Sequence, residues 1–519
     1  MKSFHTSTPI CTRRTQRGSV FPMMLLIFGG LLLTSGFVLD SVTLNTDTSQ
    51  IKRATDAAAM ALGRTHPQYK DDGASLQRLA DEYVRANLGL NSAVADNLSA
   101  VRVTRGTSEQ GNATYQVSAT LTNQPLMIGT GNRDLTVSST SETRQMSTEV
   151  ALALPNTNTE TNSDLAALRR LGKHFAEELI GDSTNTWLAL VPFSQSVSVY
   201  DASQQGRIRA WAIPAELRPV ELTSLFRSGY GSLADGRIPD RVARLLCMYR
   251  GLNRGENYFW DQAPAGQFRV YYRHDLPENG SPGAPPISWI GPLPMDGQAT
   301  GTNHIRYMVA DRGCPSAPLL PLTNDLNAIG ERLDAMSIRF NVNYAIAMGW
   351  AAMALAPAFR GTAGWDLPDD LPKDFDDGSN ERLKAIVLVA NSSRTDWFDS
   401  DAYNTYVGQA IQGVDQGSGN DPQIITQRFA NLCNSFKARR LKFYLIVTGK
   451  DEADEGEQGS ASRFRQVAGA GLTACAEKAS DLTYINGPDF VTSEGAIRQR
   501  LEQIVEDLRQ QSNFVRLIE

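Results

Sequence analysis

Four cysteines, Cys247, Cys314, Cys433 and Cys475, are the residues of this 519-residue chain whose type most directly invites covalent chemistry. No CxxC pair and no Cys/His cluster with zinc spacing accompanies them, so a zinc site is not expected. An even number of widely spaced cysteines in an exported segment reads as two disulfides. Sequence order suggests Cys247–Cys314 with Cys433–Cys475, one of three possible connectivities. The five histidines, His5, His66, His174, His274 and His304, are scattered, with no HExxH pair. No GxSxG elbow, phosphate-binding P-loop or GxGxxG fingerprint is present. Acidic runs at Asp366–Gly378 and Asp451–Glu457 lack the ligand spacing of a calcium loop and read as solvated turns. Aromatic residues Tyr249, Tyr258, Phe259, Trp260, Tyr271 and Tyr272 concentrate in one stretch, either a contact patch for sugar or protein or the local core of a long insertion. The expectation is a non-enzymatic protein with no cofactor.

The elements around these residues begin with an anchor. Residues 1–19 carry Lys2, Arg13, Arg14 and Arg17 without an acidic residue, and Val20 to Leu39 holds no charge at all. Twenty helical residues at ~1.5 Å each span the ~30 Å hydrocarbon core of a bilayer. The run is longer than a cleaved signal and lacks a good cleavage site, so an uncleaved anchor is expected. Its basic flank places the N-terminus and Cys11 in the cytoplasm and the bulk of the chain outside, in the periplasm or cell envelope of a single-pass inner-membrane protein. A net charge of -6 with no basic domain argues against a nucleic-acid partner.

Past Asp40 the helical character continues, with Leu44, Ile51 and Ala58 recurring every seven residues and an Asp56–Leu62 stretch of strong helix formers. A stalk ending near Gly63 is expected. Gly29 and Gly36 share a face that would let a partner helix approach, and the Ala stripe extends that small-residue surface outward. The alternative is that this face packs on the chain's own next helix, Ser75–Leu88. Alternating residues between Val101 and Gln145 read as a few antiparallel strands. From Glu149 strands and amphipathic helices alternate, which gives a mostly parallel sheet with helices on both faces. Expected helices are Asp164–Ile180, Asp325–Met336, Tyr344–Leu355, Gln423–Ala438, Ser460–Ala479 and Thr492–Gln510, the last capped by Thr492 or Ser493. The expected division is a cytoplasmic tail (1–19), a transmembrane helix (20–39), a helical stalk (40–95), a small β region (96–147) and an α/β domain (148–519) with an insertion at about 200–320.

Several of these segments resemble one family. Arg13–Phe21, Asp40 and Gln50–Arg64 are similar to the N-termini of TadE/TadG-like Flp (tight adherence) pilus-assembly proteins. Leu190–Ser194, Pro321–Asp325, Gly349-Trp350, Leu355–Pro357, the Cys433 and Cys475 pair and Val515–Leu517 are similar to TadG-like sequences. The resemblance implies an α/β fold in which a long helix and a pilin-like β region precede a von Willebrand factor A (VWA)-like, Rossmann-like domain. It also implies work in pilus assembly or anchoring alongside minor pilin-like proteins. A surface adhesin and an envelope metalloprotein are the rival readings. VWA domains that hold a divalent cation use an Asp-x-Ser-x-Ser loop, a Thr and a further Asp. Here Pro155 stands at the first Asp, followed by Asn156, Thr157, Asn158 and Thr159. The second loop has Asn341 without the Thr, and the third has Asn391. Neutral side chains hold a hydrated dication poorly, so the cation site is expected to be degenerate. Asn156, Thr157, Asn341 and Asn391 are then expected to form a metal-free partner surface at the carboxyl ends of the strands.

Overall fold

The computed structural model describes residues 20–65, 72–89, 92–109, 111–123, 133–157, 160–181, 183–201, 203–214, 246–251, 259–270, 273–274, 308–309, 314–338, 342–379, 381–392, 422–449, 464 and 469–518. They fall into two units, Met1–Arg144 with Phe514–Glu519, and Gln145–Asn513.

In the first unit, Val20–Arg64 forms one unbroken helix, α1. Its first twenty residues expose Phe21, Leu26, Leu33 and their apolar neighbours, whereas Ile51, Ala54, Ala58, Ala59 and Leu62 are fully buried. The second half packs on Gly73–Leu88 (α2), whose Leu76, Ala80, Val84 and Leu88 recur every four residues on one face. Ile51 and Ala58 are therefore core residues, and the alternative left open by the sequence, packing on the chain's own next helix, is the arrangement found. Leu98–Thr107 (β1), Ala113–Asn123 (β2) and Arg133–Gln145 (β3) make an antiparallel meander, joined beyond β3 by the chain's last strand. Tyr115, Val117, Ala119 and Leu121 alternate inward along β2 to complete the core.

β3 docks α1 through hydroxyls. Ser139 Oγ and Thr55 Oγ1 lie 2.6 Å apart, Ser141 Oγ donates to Ala59 O at 2.6 Å, and Thr143 Oγ1 donates to Gly63 O at 3.2 Å. Two strand residues advance ~6.6 Å and four helix residues ~6.0 Å, so the two periodicities stay in step over this distance. Close approach needs small residues: a Cβ on Gly63 would come within 2.5 Å of Val515 Cγ1.

The second unit is built on Ser147–Pro155 (β4), Asn162–Ile180 (α3), Thr186–Phe193 (β5), Leu320–Thr323 (β6), Leu326–Asp334 (α4), Tyr344–Leu355 (α5), Arg382–Asn391 (β7), Pro422–Ala438 (α6), Lys442–Gly449 (β8), Leu482–Asn486 (β9) and Phe490–Ser512 (α7). Asn513–Ile518 (β10) then returns to the small sheet. That strand was expected to end the α/β domain; it belongs to the first unit instead. The six-stranded sheet has the order β6-β5-β4-β7-β8-β9, with every pair parallel except the β6–β5 edge. β4, β5, β7 and β8 are apolar runs buried on both faces, as a sheet covered on both sides demands. α3 and α7 pack together on one face and α5 covers the other. This is the doubly wound α/β class expected from the alternation.

α5 is apolar all round and every residue in it is buried, so something must cover its outer side. The insertion does so. Phe268 stacks on Trp350 at 5.1 Å, Trp350 Nε1 donates to Met248 O, and Trp211, Phe359 and Trp365 complete the cluster. Arg250 lies over the Phe268 and Phe359 rings, and burial lowers its guanidinium to about 10. Tyr249 and Trp260 are buried in this core, so they offer no contact patch; Tyr258, Tyr271 and Tyr272 lie outside the described residues. Cys247–Cys314 closes the insertion and Cys433–Cys475 ties α6 to the turn that follows Ala470–Leu472, between β8 and β9.

Of the helix expected over Ser460–Ala479, Phe464 and Ala470–Leu472 are helical among the described residues, turns follow from Thr473, and residues 460–463 and 465–468 lie outside the described residues. Glycines at 469 and 471 weaken helix propensity, and Gly471 sits so close to α6 that a Cβ would meet Thr426 O at 2.5 Å. α7 is capped by Asp489, which accepts from Thr492 N at 2.7 Å, rather than by Thr492 or Ser493.

Candidate functional site at the carboxyl ends of the parallel strands

β4 and β7 are neighbours at the centre of the sheet, and the chain winds away from them in opposite directions along it. In open α/β sheets this switch point leaves a crevice at the carboxyl ends of the strands. Pro155 lies there at the end of β4 and Asn156 and Thr157 after it, Ser194 to Ser196 after β5, Asn343 before α5, and Asn391 and Ser392 at the end of β7, all buried. The fold thus brings Pro155, Asn156, Thr157 and Asn391 to one end of the sheet. Thr159 and Asn341 lie outside the described residues.

Backbone bonds fix how these side chains point. Asn156 N donates to Phe193 O and its Nδ2 to Ser337 O at 2.9 Å, which leaves Oδ1 as the unspent, buried half of the amide. Asn343 N donates to Ser194 O, and its Oδ1 caps α5 by accepting from Ile346 N at 2.8 Å. Its unspent buried half is therefore the Nδ2 donor. Tyr344 OH donates to Asn391 O at 3.0 Å, pinning the end of β7 to α5. Burial first, and then the negative charge of Glu160, push the Tyr344 phenol well above its ordinary range, so it stays a donor.

Glu160 is the residue that sequence reasoning missed. Its carboxylate is buried, and Oε2 accepts from Thr157 N at 2.5 Å and from Thr157 Oγ1 at 2.7 Å. The cluster is therefore not composed of neutral side chains alone. A signal was present in Thr157-Asn158-Thr159-Glu160, a Thr-x-x-Glu spacing that places a carboxylate over the backbone N–H three residues earlier. The next turn repeats the device: Thr161 and Asp164 cap α3 reciprocally, and Asp164 Oδ1 also accepts from Phe490 N and Val491 N at the start of α7.

Cation-binding VWA domains would hold a divalent ion at this place, and the donor set does not suit one. Pro155 offers no side-chain oxygen where a carboxylate is needed, and the Glu160 carboxylate already receives two hydrogen bonds on Oε2. The unspent atom of Asn343 is an N–H donor, which repels a cation, and the unspent oxygens, Asn156 Oδ1 and Ser196 Oγ, carry no charge. Among the described residues no three Asp, Glu, His or Cys side chains gather in ligating range.

The anchor residues fall elsewhere. Gly29 has no heavy atom within 4 Å of where a Cβ would lie, Gly36 is shielded within α1, and Leu44 is half-buried. α1 is the one helix among the described residues long and apolar enough to cross a membrane.

No protein-family model matches the chain, and no curated relative does. Among solved structures it is similar to the PilB minor pilin from Streptococcus sanguinis, with 9% identity, a TM-score of 0.31 and coverage of 79% of this chain and 78% of that one. It is also similar to the pilus adhesin SpaC from Lactobacillus rhamnosus GG, with 8% identity, a TM-score of 0.32 and coverage of 80% and 34%, so the chain spans about a third of that adhesin. The SpRpn10 VWA domain aligns at 10% identity with a TM-score of 0.27, over 67% of this chain and 94% of that one. The fold assignment rests on the strand order and register above and takes nothing from these alignments.

Proposed function

We propose that the chain is a non-enzymatic, single-pass envelope protein acting in the assembly or anchoring of a Flp/Tad-type pilus through protein–protein contacts. The observation that carries this reading is the division of α1. Its first twenty residues present large apolar side chains in every direction, whereas from Ile51 the same helix is the core of a small helix-on-sheet unit. A helix apolar all round and uncovered by its own chain needs lipid or other helices around it. A helix anchored in the membrane and continuing into a small sheet is a pilin-like arrangement, and the TadG-like segments of the sequence point the same way. On this reading minor pilin-like proteins are the partners, the N-terminus is cytoplasmic, and the bulk lies in the envelope. The α/β unit contributes a docking domain without catalytic machinery.

The test is a clean deletion scored in parallel for sheared pili and for surface attachment. Loss of both, restored by the full chain, supports assembly or anchoring. Normal pili with poor attachment would point to an adhesin, and no change in either would end the pilus reading.

A further inference from the structure

We infer that the switch-point face of the α/β unit is locked without a cation, with Glu160 holding the β4–α3 loop. This inference stands independently of the pilus reading. A loop carrying Thr157 at the end of a parallel strand must satisfy its backbone N–H groups, because nothing at this buried place lets bulk water do so. Glu160 meets that need from three residues on: one carboxylate oxygen accepts both the backbone N–H and the hydroxyl of Thr157, and Glu160 N returns a bond to Thr157 O at 3.2 Å. Charge-assisted bonds of this kind are about twice as strong as neutral ones. The neighbouring loops are fixed likewise, by Asn156 Nδ2 on Ser337 O, Asn343 Oδ1 on Ile346 N and Tyr344 OH on Asn391 O. With Pro155 in place of a carboxylate, an N–H donor left over on Asn343 and the unspent oxygens of Asn156 and Ser196 uncharged, the face does not call for a dication. Whatever docks here does so in the presence of a chelator.

The test uses the full chain in detergent micelles. All seven tryptophans lie between residues 145 and 513, so their fluorescence reads the unfolding of the α/β unit alone. The midpoint is compared in EDTA and in millimolar Mg²⁺, Mn²⁺ or Ca²⁺. The wild-type midpoint is expected to stay within about 1 °C across these conditions, whereas a micromolar site would raise it by several degrees. Glu160→Gln is expected to lower the midpoint by several degrees, by the same amount with and without cation. Thr157→Val, which removes one of the two bonds, lowers it less and serves if the glutamine variant does not fold. A cation-dependent rise in the wild type overturns the inference. So does a Glu160→Gln variant as stable as the wild type, or one whose loss appears only when cation is present.

Discussion

Glu142 and Glu149 lie seven residues apart on the consecutive strands β3 and β4, one in each unit, and each meets one basic side chain from far along the chain. Their ionisation is pulled in opposite directions. Glu142 accepts from Asn112 Nδ2 at 2.9 Å and is further bonded by Ser108 and by Arg516 on β10, and these donors hold its carboxyl at about 2. Glu149 is buried in the sheet, and burial pushes its carboxyl up although Lys384 Nζ lies 2.7 Å away. Lys384 is pushed down for the same reason. Glu142 is buried as well, but several donors converge on it and its Arg516 partner keeps more than half of its side chain in water. A salt bridge inside a two-sided sheet must first overcome the cost of leaving water.

The largest effect therefore belongs to the interior pair. Lys384 donates to Glu149 Oε2, to Leu355 O at 2.6 Å and to Lys373 O at 2.5 Å, and Lys373 N donates to Glu149 Oε1, so one ammonium joins β4, β7 and the end of α5. Lys384→Met leaves a buried carboxylate without its counter-charge and is expected to cost about 3–5 kcal/mol in urea unfolding read by tryptophan fluorescence. The double variant Glu149→Leu/Lys384→Met removes both charges and is expected to regain most of that loss. If the double variant is as unstable as the single one, the pair's attraction outweighs its desolvation, and the contrast with Glu142 fails.

Much of this architecture was legible because the two sheets obey different periodicities. Strict alternation over Tyr115–Thr122 and unbroken apolar runs such as Ile386–Ala390 told a one-faced sheet from a covered one, and Tyr344–Leu355 was delimited at its true ends. What escaped was long-range. Phe514–Ile518 reads as a strand, but no local pattern states which sheet will take it; Val515 against Gly63 and Arg516 against Glu142 decide that through pairings more than three hundred residues apart. Glu160 escaped for a similar reason. Thr157-x-x-Glu160 has the spacing of an exposed helix cap, and only the burial of the switch point makes its carboxylate a lock. In the site, the loop after β4 and the end of β7 come to one end of the sheet, while Asn343 was not singled out because its role is set by the capping of α5.

The smaller effects sharpen the other half of the comparison. Arg516 is more than half exposed and its loss leaves the buried Glu142 carboxylate with its bonds from Asn112 and Ser108, so Arg516→Met is expected to cost less than Lys384→Met, about 1–3 kcal/mol. Hydrogen exchange of peptides from β2 and β3 measures it, since the tryptophans do not report on this unit. The pH dependence separates the two carboxylates by sign. Glu142 is depressed from an ordinary value near 4.5 to about 2, so its contribution is fully present above pH 4.5 and is lost as the pH falls through 2. Glu149 is raised, so the folded state takes up its proton before the unfolded chain does, and mild acid favours the fold at that position. Protection of β2 and β3 is therefore expected to decline between pH 4.5 and 2, and Glu142→Gln is expected to flatten that decline while leaving the acid response of the tryptophan signal unchanged. A Glu142→Gln protein with the wild-type acid profile in β2 and β3 would mean that the donors around Glu142 do no more for its charge than water does.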